Sequence, residues 1–273
     1  MHKICQYGEL AQIVNSNKHK ESNYYFMKDK IIDLINKERL SVDSFEGNTF
    51  IYEDCGSFYR MYFFIDKDID LLKINVEDKD VVVELPFNRV LNEHQILQEK
   101  ILEKNGFTLE RESSLMSVSA KGIFFSNNLD YNLIFKYGNK DECDSYLQLL
   151  FSRLNPLFSF LPNREELINL IEKKCIICAY YNNKLAGVFN LELVNNNVWT
   201  RHLVVDEAFV GKNIGDRLFS EGHRIYKDSC QEFKSWVDIH NTPGIRVHEK
   251  IGYKFDARKA NEYVRRTSFK GIV

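Results

Sequence analysis

Leu203-Val204-Val205-Asp206-Glu207-Ala208-Phe209-Val210-Gly211-Lys212-Asn213-Ile214-Gly215-Asp216 carries the clearest structural signal in the chain. An apolar strand gives way to a short acidic turn and a glycine-bearing loop, and an amphipathic helix follows through Leu218 and Phe219 toward Ile225. Gly211 and Gly215 let the backbone come close to a ligand. The unpaired N–H groups of the helix's first turn, with the positive end of the helix dipole behind them, make an anion site suited to a pyrophosphate. Asn213 tolerates a positive φ better than most residues, and Lys212 can supply positive charge. Strand alternation places Trp199, Arg201, Leu203 and Val205 on one face and turns His202 to the other.

Further along, Asn241-Thr242-Pro243 is a helix start signal, and Gly252 in Lys250-Ile251-Gly252-Tyr253 is where that helix closes with a left-handed residue. Upstream, the apolar runs Ile176–Tyr181 and Leu185–Leu191 flank Asn182-Asn183-Lys184, a hairpin signal. In this order and spacing the chain resembles the GNAT superfamily of acyl-CoA-dependent N-acyltransferases over roughly residues 130 to 273. The phosphate loop of that family has Arg or Gln, two residues, Gly, one residue, then Gly or Ala. Here Val210 stands at the Arg or Gln position, Asn213 at the first glycine and Gly215 at the last. Asn241, Lys250, Gly252 and Tyr253 fit the second motif, and His248 takes the place of its tyrosine.

The resemblance implies an α/β fold with a mixed, twisted and splayed sheet flanked by helices, and acetyl-CoA as donor. It implies backbone contacts to the acyl-pantetheine at Leu203, Val204 and Val205. Pyrophosphate binding falls to Gly211, Lys212, Asn213, Ile214, Gly215 and Asp216, and a pantetheine or adenine-side contact to Asn241. His248 would act on the leaving thiolate as an imidazolium, the alternative being a surface histidine on a short helix. The family's base on the central strand has no counterpart among Trp199, Arg201, Leu203 and Val205. Asp238 on the next strand is the nearest candidate, with a solvated, salt-bridging role as its alternative. Arg201 would face an acidic group of the acceptor amine, or else pair with Glu192 on the neighbouring strand.

The first half offers strands at Thr49–Glu53, Phe58–Ile65 and Val81–Phe87 and helices at Asn23–Lys37 and Glu93–Lys104. The second of these helices ends in Glu103-Lys104-Asn105-Gly106-Phe107, echoing Glu249-Lys250-Ile251-Gly252-Tyr253. Two tandem copies are therefore expected: a degenerate amino-terminal GNAT-like domain over 1–128, with no phosphate loop in Asp66–Asp80, and an acyltransferase domain over 129–273. The junction falls at Lys121–Asn128, and Tyr131–Lys136 opens the second copy. Two helices follow it, as in the family, over the acceptor groove.

A chain of 273 residues, 44% of them apolar, can bury a large core, and a net charge of −2 argues against a general nucleic-acid binder. The basic residues Arg258, Lys259, Arg265 and Arg266 are interspersed with Asp256 and Glu262 and read as a solvated face. No apolar run approaches the roughly 18 residues of a membrane helix, and Met1–Gly8 lacks a signal peptide's apolar core, so a cytoplasmic protein is expected. Six scattered cysteines read as reduced thiols. Cys175 and Cys178 face opposite sides of a strand, which argues against zinc or redox use. Trp236 reads as core.

These readings converge on transfer of an acetyl or other short acyl group to the amine of a small molecule or peptide, without metal, nucleic acid or membrane. The alternatives are a non-catalytic CoA- or ligand-sensing module and an aminoacyl-tRNA-dependent peptide ligase. The latter needs a strongly cationic surface that the composition does not provide.

Overall fold

The computed structural model describes residues 1–25, 28–66, 72, 74, 76, 78–123 and 132–267. The chain forms two compact units, one of residues 1–112 with 258–273 and one of residues 113–257. By contacts the division falls at 112/113 and 257/258, where the sequence places it at 128/129. Of the expected junction, residues 124–128 lie outside the described residues.

The first unit runs β1 (His2–Lys3), α1 (Tyr7–Ser16), β2 (Glu21–Ser22), α2 (Lys28–Asn36), β3 (Leu40–Phe45), β4 (Asn48–Asp54), β5 (Phe58–Ile65), β6 (Asp80–Asn88) and α3 (Glu93–Lys104), and β7 (Thr108–Ser119) begins in it. Strands β1, β3, β4 and β5 pair antiparallel in that order. β5 and β6 are parallel, and only over Phe58↔Asp80, Tyr59↔Val81 and Arg60↔Val82. Helix α3 opens on a capping box between Asn92 and Gln95 and closes at Gly106, φ 79°, with the Phe107 amide bonded back to Leu102. Its Ile101 and Leu102 bury against Phe50, Phe63, Val81 and Val83, while α1 and α2 cover the other face with Leu10, Ile31 and Leu34 against Ile51 and Phe64. The helix expected over Asn23–Lys37 starts only at Lys28, with residues 26 and 27 outside the described residues. Of the stretch Asp66–Asp80, residues 67–71, 73, 75 and 77 are likewise outside them.

Among the described residues the second unit follows this order with two further helices, α5 and α7, and without a counterpart of β2: β8 (Leu133–Tyr137), α4 (Cys143–Arg153), α5 (Pro156–Ser159), α6 (Arg164–Glu172), β9 (Ile176–Tyr181), β10 (Lys184–Val194), β11 (Asn197–Val205), α7 (Ile214–Tyr226), β12 (Glu232–Asp238), α8 (Thr242–Ile251) and the start of β13 (Lys254–Arg265). Asn182 and Asn183, both in the left-handed region at φ 50° and 63°, turn the expected hairpin in the way that matches the right-handed twist of its strands. Strands β8 to β11 pair antiparallel. Helices α4 and α6 bury Tyr146, Leu150, Leu167 and Ile171 against Cys178, Val188 and Val204. On the opposite face α7 and α8 bury Leu218, Phe219 and Ile251 against Ile177, Phe189 and Leu191. A Cβ on Gly222 would come within 2.5 Å of the Phe189 ring, so this glycine lets α7 lie close on β10.

Each unit is completed by the strand that follows the other copy's closing helix. β12 pairs antiparallel with residues 113–119 of β7, and β6 with residues 258–265 of β13. No helix among the described residues is long and apolar enough to cross a membrane.

Candidate functional site

β11 stays beside its parallel neighbour β12 for three pairs only, Asn197↔Glu232 to Trp199↔Lys234, and then runs on alone to Val205. Hydroxyls pin the point of departure: Thr200 Oγ1 donates to the Lys234 carbonyl at 3.3 Å and Ser235 Oγ to the Thr200 carbonyl at 3.4 Å. Beyond it, alternate backbone groups of β11 face away from β10 with no strand pairing to them among the described residues.

On its other edge β11 carries a bulge. Asn190 pairs with His202 and Leu191 with Thr200, which leaves Arg201 as the extra residue. One added residue shifts the alternation by one, so the common face expected for Trp199, Arg201, Leu203 and Val205 is corrected. Leu203 and Val205 pack beside Val198 in the α7 core. Arg201 lies over the Trp199 ring, 5.3 Å from its centre, and pairs with Glu192 at 3.6 Å, the second of the two partners expected for it. His202, expected to turn away from the acceptor side, donates from Nε2 to the carbonyl of Ser159 on α5. Its Nδ1 lone pair is buried with no hydrogen-bond partner, and burial pushes the imidazole's pKa down to about 4, so the ring is neutral at pH 7.

The loop after β11 keeps its expected geometry. Asp206 caps a single turn by accepting from the Ala208 amide at 2.8 Å. Gly211 (φ 86°) and Asn213 (φ 59°) are both left-handed, so Asn213 adopts the conformation for which the family pattern has glycine. Asn213 is also the N-cap of α7, yet its side chain makes no capping bond, which leaves the first-turn amides without a cap. Lys212 holds its ammonium 4.5 Å above the Tyr181 ring, Val210 is exposed, and Asp216 is ion-paired with Lys250.

The α8 region carries the remaining expected residues. Asn241 is the helix cap, accepting from the Gly244 amide at 3.0 Å. Asp238 accepts from the His240 amide at 2.8 Å and shapes the turn that ends β12. His248 is buried between the rings of Phe219 and Tyr253, whose centroids lie 4.6 and 5.0 Å away. Its Nδ1–H donates to the Gly244 carbonyl at 2.8 Å, its Nε2 has no partner, and burial pushes its pKa down to about 4. The imidazolium that the resemblance implied is therefore not the form present at neutral pH, and Nε2 offers a lone pair where an acid would need a proton.

Two groups carried no readable sequence signal. His223 is fully buried, donates from Nδ1 to the Phe219 carbonyl and accepts at Nε2 from the Tyr253 hydroxyl, both at 2.6 Å, with its pKa pushed down to about 3. Glu142 accepts from the hydroxyls of Tyr146 and Tyr180, which hold its carboxylate below the usual range. Trp236, expected in the core, is half-buried, since Phe233, Ser235 and Val237 take the inward positions of β12. Among the described residues no cluster of three His, Cys, Asp or Glu could hold a metal ion.

Residues 144–253 match the model of the acetyltransferase (GNAT) family. This segment is a GNAT acetyltransferase domain. GNAT structures share its fold, and some extend over both units. An acetyltransferase of the GNAT family from Colwellia psychrerythraea covers 97% of this chain and 98% of its own at 10% identity, with a TM-score of 0.55. A GCN5-related N-acetyltransferase from Kribbella flavida covers 89% and 96% at 8% identity and a TM-score of 0.55. A tandem GNAT protein from the clavulanic acid biosynthesis pathway covers 85% of each chain at 9% identity and a TM-score of 0.53. No curated protein matches the chain in sequence.

Proposed function

We propose that the second unit moves an acetyl or other short acyl group from acyl-CoA to the amine of a small-molecule or peptide acceptor. The observation that carries this reading is the unpaired edge of β11 leading straight into the uncapped amino terminus of α7. The backbone of Leu203, Val204 and Val205 takes the acyl-pantetheine, the amides from Gly211 to Asp216 take the pyrophosphate, and Asn241 lies on the pantetheine or adenine side. Lys212 supplies the cation that Val210 does not. The six free cysteines fit a reducing, cytoplasmic setting.

Acyl transfer needs a polarised thioester carbonyl, a neutral amine and a route for the proton that the amine gives up. Backbone N–H groups of β11 polarise the carbonyl and stabilise the oxyanion that forms from it. His202 is the proton acceptor on the α5 side. The bond to Ser159 fixes its tautomer with the proton on Nε2, which leaves the Nδ1 lone pair as the group that takes up the proton. Asp238 and His248 stand aside, one committed to a turn and the other neutral among aromatic rings.

Calorimetry with acetyl-CoA tests the donor site: one saturable, micromolar event is expected, weakened at least about tenfold in Gly215→Val, where a side chain would crowd the approach to the first-turn amides. A screen of amines read by mass spectrometry then identifies the acceptor. Binding without any acylated product would favour the second reading, a donor-sensing module, for which the absence of a proton on His248 Nε2 speaks.

A further inference from the structure

We infer that the first unit carries its own built-in occupant, residues 21–25, in the cleft that corresponds to the donor site of the second unit. The comparison with a donor rests on the function proposed above, and the occupancy rests on hydrogen bonds. Past Arg60↔Val82 the strands β5 and β6 part, as β11 and β12 do past Trp199↔Lys234. The parting is filled. β2 pairs antiparallel with the end of β5 through Glu21↔Ile65 and Ser22↔Phe64.

Asn23 follows and spans the opening with its amide. Its Nδ2 donates to the Met61 carbonyl of β5 at 3.2 Å and to the Glu84 carbonyl of β6 at 3.1 Å, and its Oδ1 accepts from the Phe63 amide at 2.9 Å. The side chain thus meets, in the first unit, the kind of strand-edge donors and acceptors that β11 leaves open for an amide-bearing ligand in the second. Asn23 is 5% exposed. The segment is anchored on both sides: Glu21 bonds to His94 at 2.8 Å and to Gln98 at 3.4 Å on α3, and the rings of Tyr24 and Tyr25 pack on Phe64 and Tyr62 at 5.5 and 6.0 Å. A secondary amide of a pantetheine and the primary amide of Asn23 present the same chemistry to a strand edge. The chain supplies it permanently, so the first unit takes no acyl-CoA.

Hydrogen–deuterium exchange on the full chain, with and without acetyl-CoA, tests this. The Phe63 and Ile65 amides are expected to be protected in the free protein and unchanged by acetyl-CoA, while the Leu203 and Val205 amides, which point away from β10, slow only when it is added. Asn23→Ala is expected to speed exchange at Phe63 by about tenfold or more without altering Leu203 and Val205. Rapid exchange of Phe63 in the free protein, slowing of Phe63 by acetyl-CoA, or two equivalents bound per chain would overturn the inference. Should Asn23→Ala not fold, Asn23→Asp keeps an acceptor for the Phe63 amide, and the wild-type exchange pattern decides alone. Failure of Leu203 and Val205 to respond would refute the donor reading of the second unit, whereas protection at Phe63 would still report the built-in occupant of the first.

Discussion

In both units the central strand keeps its parallel neighbour for three residue pairs and then leaves it, Phe58 to Arg60 against Asp80 to Val82 in one and Asn197 to Trp199 against Glu232 to Lys234 in the other. The strand beyond that point meets different surroundings. In the first unit β4 and β5 pair in unbroken register and Asn23 bridges the gap, whereas in the second a bulge at Arg201 interrupts the register and, among the described residues, the gap stays open. The opening of the sheet is thus a property of the repeated topology. The units differ locally: the second has the extra residue, the uncapped helix and a gap that no returning segment among the described residues fills.

The largest expected effect separates two histidines of the open unit. His202→Ala should lower kcat/KM by about 10²–10⁴-fold once an acceptor is in hand, the usual contribution of a positioned base. His248→Phe, which keeps the aromatic packing, should stay within about tenfold of wild type. Steady-state kinetics of both variants check the assignment, and a reversed order would return His248 to the chemistry.

Acid should act on the second unit first. His202, His223 and His248 are buried there, whereas His2, His19 and His94 of the first unit are exposed. Their folded pKa values lie at about 4, 3 and 4 against the ordinary 6.5, so as pH falls below 6.5 the unfolded state takes up protons before the folded one does. Stability is fully present above 6.5 and is lost progressively down to 4 and 3, by about 3–5 kcal/mol for each histidine over its whole window. Both tryptophans, Trp199 and Trp236, lie in this unit, so a tryptophan emission shift during acid titration reports on it alone. An emission signal flat from pH 7 to 4 would contradict the burial of neutral imidazoles.

A smaller effect is expected at Gly222. Gly222→Ala places a methyl against the Phe189 ring and should cost about 1–3 kcal/mol, read as a lowered Tm of the unit that contains the tryptophans. The smallest is expected at the loop. Val210→Arg adds a cation beside the first turn of α7 and should tighten acetyl-CoA by a few-fold at low salt, about 1 kcal/mol or less, fading as salt is raised.

Much of this was legible where signals are local. The strand, loop and helix of 203–216, the Asn182-Asn183 turn and the caps of α8 follow from residues adjacent in sequence. Non-local pairing hid the rest. The bulge at Arg201 depends on how β10 registers against β11, and no residue type announces it. Phe26, Ile31, Leu34 and Ile35 carry helical spacing, which drew Asn23 into a helix that starts at Lys28. His248 has the sequence position of a functional residue, but its burial is decided by Phe219 and Tyr253, which come from other elements.

The strand that ends each copy makes the two halves of the gene product inseparable. Cut between residues 128 and 129, the amino-terminal fragment loses residues 258–265, the partner of β6, and the carboxy-terminal fragment loses residues 113–119, the partner of β12. Each fragment would bare an unpaired strand edge, Val81 to Val83 on one and Phe233 to Val237 on the other, a template for aggregation. Each copy's sheet is completed by a strand that follows the other's closing helix, so neither copy is dispensable to the other's scaffold.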